Sequence, residues 1–369
     1  MRTFGQILSD TLSHMENGSL EVGPQASSLS VKEYLDADRY QSEIQEVLKK
    51  HPMPLVNSDR LKMKETFYAG EICGVPVIAV RDEQGKARVF LNACRHRGAP
   101  LNIKNDGGQR FVCPFHGWSY SLEGEILDIP VSDQCFTHLS SKAFRLKEIK
   151  SYECAGLVWI LLDPEGEVAN LEAPFEQLHH DQEELGFLPA HPVKEISFTV
   201  NFNWKIGVEA FLEVYHFTHA HAPYLAQLQF PNLSLADQKG KNARIVVPLR
   251  KPTNQEPPLK WAQVMYYIFP SSFLLFYDDH AALISLLPAE LGKTQFRYVP
   301  LVPTLDGAND AKIRQKVEFL EVIIGQDIEI LEGVQKGLTS QANRQFTFTR
   351  LESLLSQFHR DLKDCYSVP

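Results

Sequence analysis

From Cys94 to Trp118 the chain runs CRHRGAPLNIKNDGGQRFVCPFHGW, which places two Cys–His pairs, Cys94-x-His96 and Cys113-x-x-His116, on two loops. Each pair can supply half of a metal site. Two thiolates suit one iron and two neutral imidazoles the other iron of a [2Fe-2S] cluster, a ligand exchange that raises the reduction potential to about −150 to +300 mV. A structural zinc site uses the same residue types, but its signature commonly opens with two Cys about two to four residues apart and keeps its His together. A disulfide between Cys94 and Cys113 would leave both histidines without a role. Gly98, Pro114 and Gly117 fit loops whose backbone bends sharply near the sulfurs.

A second constellation lies in VEAFLEVYHFTHAHAPY, residues 208–224, which holds three histidines. On a helix, Glu209, Glu213 and His216 would share one face. Two imidazoles and one carboxylate, with open positions left over, form the donor set of a non-heme ferrous site that activates dioxygen. Spacing alone leaves the triad open: His216 could pair with His219 one turn on, and Glu213 could itself be the carboxylate. A distant acid, Asp327, sits in the apolar stripe Ile313, Val317, Leu320, Ile324, Ile328, Leu331, Val334 and Leu338 of a long helix predicted from about 310 to 338. A carboxylate on that face needs a metal or a cationic partner, and a salt bridge accounts for it as well as a metal does. His179 and His180, as neighbours, do not share a helical face, which argues against a joint site.

The paired loops, with Arg97-Gly98 and Gly117-Trp118 beside them, resemble the Rieske iron–sulfur family, and residues 30 to 340 resemble the catalytic α subunit of the Rieske non-heme iron oxygenases. The resemblance implies that Cys94, His96, Cys113 and His116 hold a Rieske cluster. In that family an acid precedes the first iron-binding His by three residues and a second His follows after four intervening ones, a pattern that falls on Glu213, His216 and His221. For His221 to reach the metal the helix must end before Ala222-Pro223, where proline disfavours it. The third ligand falls on Asp327, in QDIEILEGVQKGL (326–338), and His219 becomes an outer-sphere or packing residue. Glu213 takes the place of an acid, most often Asp, that bridges to a cluster histidine, here His96 or His116, of the neighbouring subunit. Ala210 stands where relatives commonly have Asn. The implied activity is that of an oxygenase: a separate NAD(P)H-dependent reductase, directly or through a ferredoxin, supplies electrons, and O2 is activated at Fe(II) to hydroxylate, dihydroxylate or demethylate a small organic substrate. The implied assembly is a head-to-tail homotrimer. A Rieske electron carrier whose second domain only binds a partner is the competing reading.

The elements that must position these residues read as α+β. Short β runs from Glu71 to Leu162 (EICGVPVIAV, ARVFLNA, WSYSLEGEI, GLVWILL) predict an antiparallel Rieske domain over 51–165, closed at Asp163-Pro164-Glu165-Gly166. Strands near 196–204, 243–249, 262–269, 273–277, 281–287 and 294–301, followed by the long helix, predict a catalytic domain over 166–369 with an antiparallel sheet; the resemblance implies a helix-grip arrangement. Residues 1–50 read as an N-terminal arm and helices on the catalytic domain. Of these, the first 25 or so could be mobile or dock on a neighbour, and Ser30 with Glu33 suggests a capping box.

A chain of 369 residues with 44% hydrophobic and 22% charged residues has room for more than a cluster module. A net charge of −9 argues against nucleic acid and suits a redox partner with a basic patch. Six scattered cysteines, no leader-like apolar run and no membrane-length segment lead to the expectation of a cytoplasmic protein. A pocket rich in Phe, Leu and Ile suggests an apolar or aromatic substrate, although Phe and Tyr can equally cage a quaternary ammonium group.

Overall fold

An eight-stranded sheet and a six-stranded sheet, each antiparallel, organise two compact units. The computed structural model describes residues 1–62, 66–101, 108–135, 141–163, 165–222, 224–225, 230–249 and 256–366. One unit is Lys49–Ala173; the other joins Met1–Leu48 to Pro174–Pro369.

In the smaller unit the strand order is Met53–Asn57, Leu157–Leu161, Glu148–Cys154, Ala87–Leu91, Val75–Arg81 and Phe67–Ile72. A three-stranded sheet (Phe111–Val112, Ser119–Tyr120, Ile126–Asp128) carries the second Cys–His loop. The run EICGVPVIAV is not one strand. Cys73 and Gly74 both have positive φ (49° and 75°) and form a two-residue turn of the hairpin type, so Ile72 pairs with Val75. The same device, Ala155-Gly156 (54° and 72°), sets Leu157 opposite Cys154. The unit ends after Ala173, not at 165, because the helix Val168–Glu172 packs against the strand Glu148–Cys154 with Leu171 fully buried. Pro164 lies outside the described residues.

In the larger unit His191–Pro192 and Ile196–Val200 both pair with Lys293–Val302, and the sheet continues through Ala281–Glu290, Ser272–Phe276, Ala262–Ile268, Asn242–Pro248 and Leu235–Lys239. The alternation expected to run to Trp204 stops at Val200. Asn203 accepts a hydrogen bond from the Lys205 amide (3.0 Å) and starts the helix Trp204–Phe211. The long helix is Ala311–Thr339, capped by Asp310 through the Lys312 amide at 2.7 Å.

The N-terminus is built into the larger unit. A helix, Phe4–Asn17, opens with a Thr3–Gln6 capping box and buries Phe4, Ile7, Leu8 and Thr11. Arg2 bonds Asp237 (2.8 Å), while the fully buried Arg244 joins Asp237, Asp181 and the Arg2 carbonyl. The Ser30–Glu33 capping box does not form. Ser27–Ser30 is a strand paired with Gln345–Phe348, and it is Asp36 that caps the next helix. No helix among the described residues is long and apolar enough to cross a membrane.

Candidate metal centres

The two cluster loops share one backbone design. The Gly98 amide donates to the Cys94 carbonyl (2.8 Å) and the Gly117 amide to the Cys113 carbonyl (3.0 Å). The amides of Cys94 and Cys113 donate to Ala99 and Trp118, each at 2.8 Å. Both glycines have φ near +78°, the left-handed region that a residue with a Cβ rarely adopts. Cys94 and Cys113 are buried within the apolar core of the unit and carry free thiols. The His96 and His116 rings lie 4.8 Å apart, and His96 stacks on Trp118 with an interplanar angle of 5°. Burial, with Cys113 alongside, pushes the Cys94 thiol above its ordinary value despite the Tyr120 hydroxyl 3.3 Å from its sulfur. Two buried sulfurs brought together without a disulfide, facing two imidazoles, fit a metal cluster, whose cations would hold both as thiolates. Desolvation, then Arg97 and His96, lower the His116 pKa, which favours the neutral imidazole that ligation needs. Tyr120, which also accepts from the Arg95 amide (3.0 Å), escaped the sequence reading. Nothing in its spacing marks it.

At the second centre, His216 and His221 flank the one-turn helix Phe217–Ala220. The preceding helix ends at Phe211, so Glu209, Glu213 and His216 do not share a continuous helical face. Helical geometry does stop before Ala222, as the sequence predicted; Pro223 lies outside the described residues. Donor atoms of His216, His221 and Asp327 lie within 4.8 Å of one another. Asp327 Oδ1 is 2.9 Å from His221 Nε2 and 3.6 Å from His216 Nε2, and both Nε2 atoms are buried without a hydrogen-bond partner. Such orphaned nitrogens beside a carboxylate fit a divalent metal with open positions.

The other nitrogen of each ring is held from outside. Gln326 Oε1 lies 2.9 Å from His221 Nδ1, so adjacent residues of the long helix address both nitrogens of one fully buried ring. Glu213 bonds His216 Nδ1 and the amides of Tyr215 and His216, so both its oxygens are engaged away from the two Nε2 atoms. Burial alone would depress the His221 pKa, but the Asp327 carboxylate, with Gln326 and Glu213, raises it instead. His219 is exposed and bonds Thr218 Oγ1 (3.0 Å), so it neither packs in the interior nor reaches the centre. Glu209 turns away to the Tyr34 hydroxyl (2.6 Å) and His359 Nε2 (2.7 Å), partners from opposite ends of the chain. Gln326 and this triad were not found from sequence. His179 and His180 lie exposed on the surface.

Two cavities meet the centre. One of about 300 Å³ runs from Asp327, Glu213 and His216 between Phe211, Phe217, Leu275, Phe319 and Ile323. The other, about 430 Å³, lies on the side of Glu209, Leu331, Val334 and Phe348.

Residues 51–153 match the Rieske [2Fe-2S] domain family, and residues 187–368 match the catalytic domain of the ring hydroxylating alpha subunit. This chain therefore belongs to the α subunits of the Rieske oxygenases, oxidoreductases that combine a Rieske cluster, a mononuclear iron and dioxygen. Among its relatives, chloroplastic choline monooxygenase of Amaranthus tricolor is 25% identical over 341 residues, covering 88% of this chain and 75% of the relative. The benzene 1,2-dioxygenase alpha subunit of Pseudomonas putida is 27% identical over 221 residues, 58% of this chain and 48% of the relative. Among solved structures, the quaternary ammonium Rieske monooxygenase CntA has a TM-score of 0.79 at 17% identity, covering 92% of this chain and 96% of its own. Naphthalene 1,2-dioxygenase from Rhodococcus sp. has a TM-score of 0.77 at 16% identity, covering 99% and 98%. The match of the second unit to an oxygenase catalytic domain sets aside the electron-carrier reading.

Proposed function

We propose that Cys94, His96, Cys113 and His116 hold the Rieske cluster of this oxygenase, that His216, His221 and Asp327 hold its mononuclear iron, and that the cavity of about 300 Å³ receives an apolar, aromatic-bodied substrate. The observation that carries this is the convergence of two orphaned imidazole nitrogens and one carboxylate oxygen on the wall of an apolar cavity. When bound, the two metal groups supply stored single electrons and open positions for dioxygen. The chain's own residues do the rest. Glu213 and Gln326 each accept a hydrogen bond from an Nδ1–H, which leaves the Nε2 lone pairs of His216 and His221 for the metal. Phe211, Phe217, Leu320 and Ile324 exclude water and hold the substrate body beside Asp327.

A reductase, directly or through a ferredoxin, delivers electrons from NAD(P)H, and a cytoplasmic homotrimer is the working assembly. In it Glu213 also reaches His96 or His116 of the neighbouring subunit, so Glu213→Gln should keep both metals yet slow cluster oxidation in a single turnover. A wild-type rate, or a monomer in sedimentation, would remove that bridge. A quaternary ammonium or methylated amine is the second substrate class, supported by the likeness to choline monooxygenase and CntA. The test of the metal assignment is Asp327→Ala. Iron should fall from three to two atoms per chain and turnover should vanish while the Rieske spectrum persists; an active variant returns Asp327 to a structural role.

A further inference from the structure

The cavity beside Asp327 follows the long helix back to Lys316, eleven residues earlier and so about 16 Å along the axis. Its walls are apolar for most of that length and turn polar at the Lys316 end, where Tyr277, Asp278, His280 and Lys260 line it. The charges there are already matched among themselves. Asp278 binds Lys316 through Oδ1 (2.8 Å) and Lys260 through Oδ2 (2.8 Å). Asp279 binds His280 Nδ1 through Oδ1 (2.7 Å) and Lys316 through Oδ2 (2.6 Å). Two lysines face two aspartates, and every carboxylate oxygen is engaged. A cationic group arriving here would share carboxylate oxygens that each already hold a lysine or His280. One face of Tyr277 is covered by the His280 ring, stacked at 4.6 Å and 11°, which leaves only the other face for a cation.

What remains unspent is donor capacity. Lys316 uses two of its three N–H groups and Lys260 one of three. The Tyr277 hydroxyl accepts from Gln263 Nε2 (2.9 Å), and its own proton meets no acceptor among the described residues. Burial raises the Tyr277 pKa and keeps that proton in place.

We infer that the substrate bears a carboxylate at the end of its apolar body remote from the metal centre, received by Lys316 Nζ and the Tyr277 hydroxyl beside His280. This rests on the reading of the cavity as the substrate chamber. It selects an acidic head over the quaternary ammonium class, because at this end Lys316, Lys260 and Tyr277 keep unused N–H and O–H donors, whereas each aspartate oxygen already holds a lysine or His280.

The test compares 4-phenylbutanoate, neutral 4-phenylbutanamide and trimethyl(3-phenylpropyl)ammonium on the anaerobic holoenzyme by titration calorimetry, followed by product analysis after air and reductant are admitted. The carboxylate should bind at least tenfold more tightly than either other probe. Lys316→Met and Tyr277→Phe should each remove most of that margin with iron content and Rieske spectrum intact, while Lys316→Arg keeps it. The inference is overturned if the cation binds as well as the carboxylate, if the carboxylate does not bind, or if neither Lys316→Met nor Tyr277→Phe changes the carboxylate-to-amide ratio. Carboxylate binding that depends on Lys316 but yields no oxygenated product upholds the head-group assignment and counts against the oxygenase reading. Oxygenation of the cation in preference does the reverse.

Discussion

Replacing Gln326 by Leu tests how the metal centre is built, because the change leaves all three proposed ligands in place. In the wild type the Gln326 carbonyl holds the proton on His221 Nδ1 at 2.9 Å, so Nε2 presents its lone pair. Leucine removes that acceptor from a ring with no exposed surface. A buried donor without a partner costs about 1–3 kcal/mol, and a cost borne equally by the metal-free and metal-loaded forms would not weaken binding. The loss of affinity comes from the tautomer. In the metal-free variant the ring can move its proton to Nε2 and donate to Asp327, only 2.9 Å away, so two ligands bond each other and the metal must separate them. Removing such an outer partner typically lowers metal affinity about 10–100-fold, or about 1.4–2.8 kcal/mol. Competition of the anaerobic enzyme with a ferrous chelator reads this directly, with the Rieske absorbance as an internal control for the other centre. Gln326→Glu, which keeps an acceptor, should stay near wild type. Wild-type iron retention in Gln326→Leu would refute the account of how His221 is held.

Cys94→Ser and His116→Ala should each abolish the visible Rieske absorption but leave the second iron in place; a full Rieske spectrum in either would overturn the ligand assignment. Gly124→Ala should destabilise the Rieske unit by about 1–3 kcal/mol, since φ is +84° and the added Cβ would meet Phe90 Cε1 at 2.7 Å in the core. Gly85→Ala, at φ +80° with nothing within 4 Å, carries the backbone strain alone and should cost less in the same urea titration; equal effects would rule out the Phe90 clash. Asp82 is buried and accepts from the Lys86 amide and Arg88 Nε, both at 2.8 Å; burial opposes ionisation, but these bonds outweigh it and lower the pKa. A lowered carboxylate contributes stability above its unfolded value of about 3.9 and loses it as pH falls through the folded value. The melting-point deficit of Asp82→Asn should therefore be constant from about pH 5 to 8 and shrink below about pH 4; a deficit that persists in acid would count against the ion pair.

The sequence by itself determined whatever depends on short-range pattern. The four residues of the cluster loops lie between Cys94 and His116, and their spacing points to a shared metal site and to the tight bends at Gly98 and Gly117. The strands from 243 to 301 and the helix Ala311–Thr339 follow from periodicity, and the apolar stripe of that helix marked Asp327 as an acid needing a metal or a cation, a choice that the family resemblance tipped toward the metal. Short-range pattern misleads where backbone geometry interrupts a continuous apolar run, as at Cys73-Gly74, and where a polar N-terminus conceals an amphipathic helix held by Arg2 and Arg244. Only the tertiary structure put Glu213 on His216 Nδ1 and Asp327 beside its Nε2, turned His219 to Thr218, placed Gln326 on His221, and withdrew Glu209 to Tyr34 and His359. The Gln326 and Glu209 contacts join residues from about a hundred to 175 positions apart, and no periodicity records them. A hydrogen bond needs a distance and an angle, whereas a sequence pattern specifies only which face of an element a residue is on.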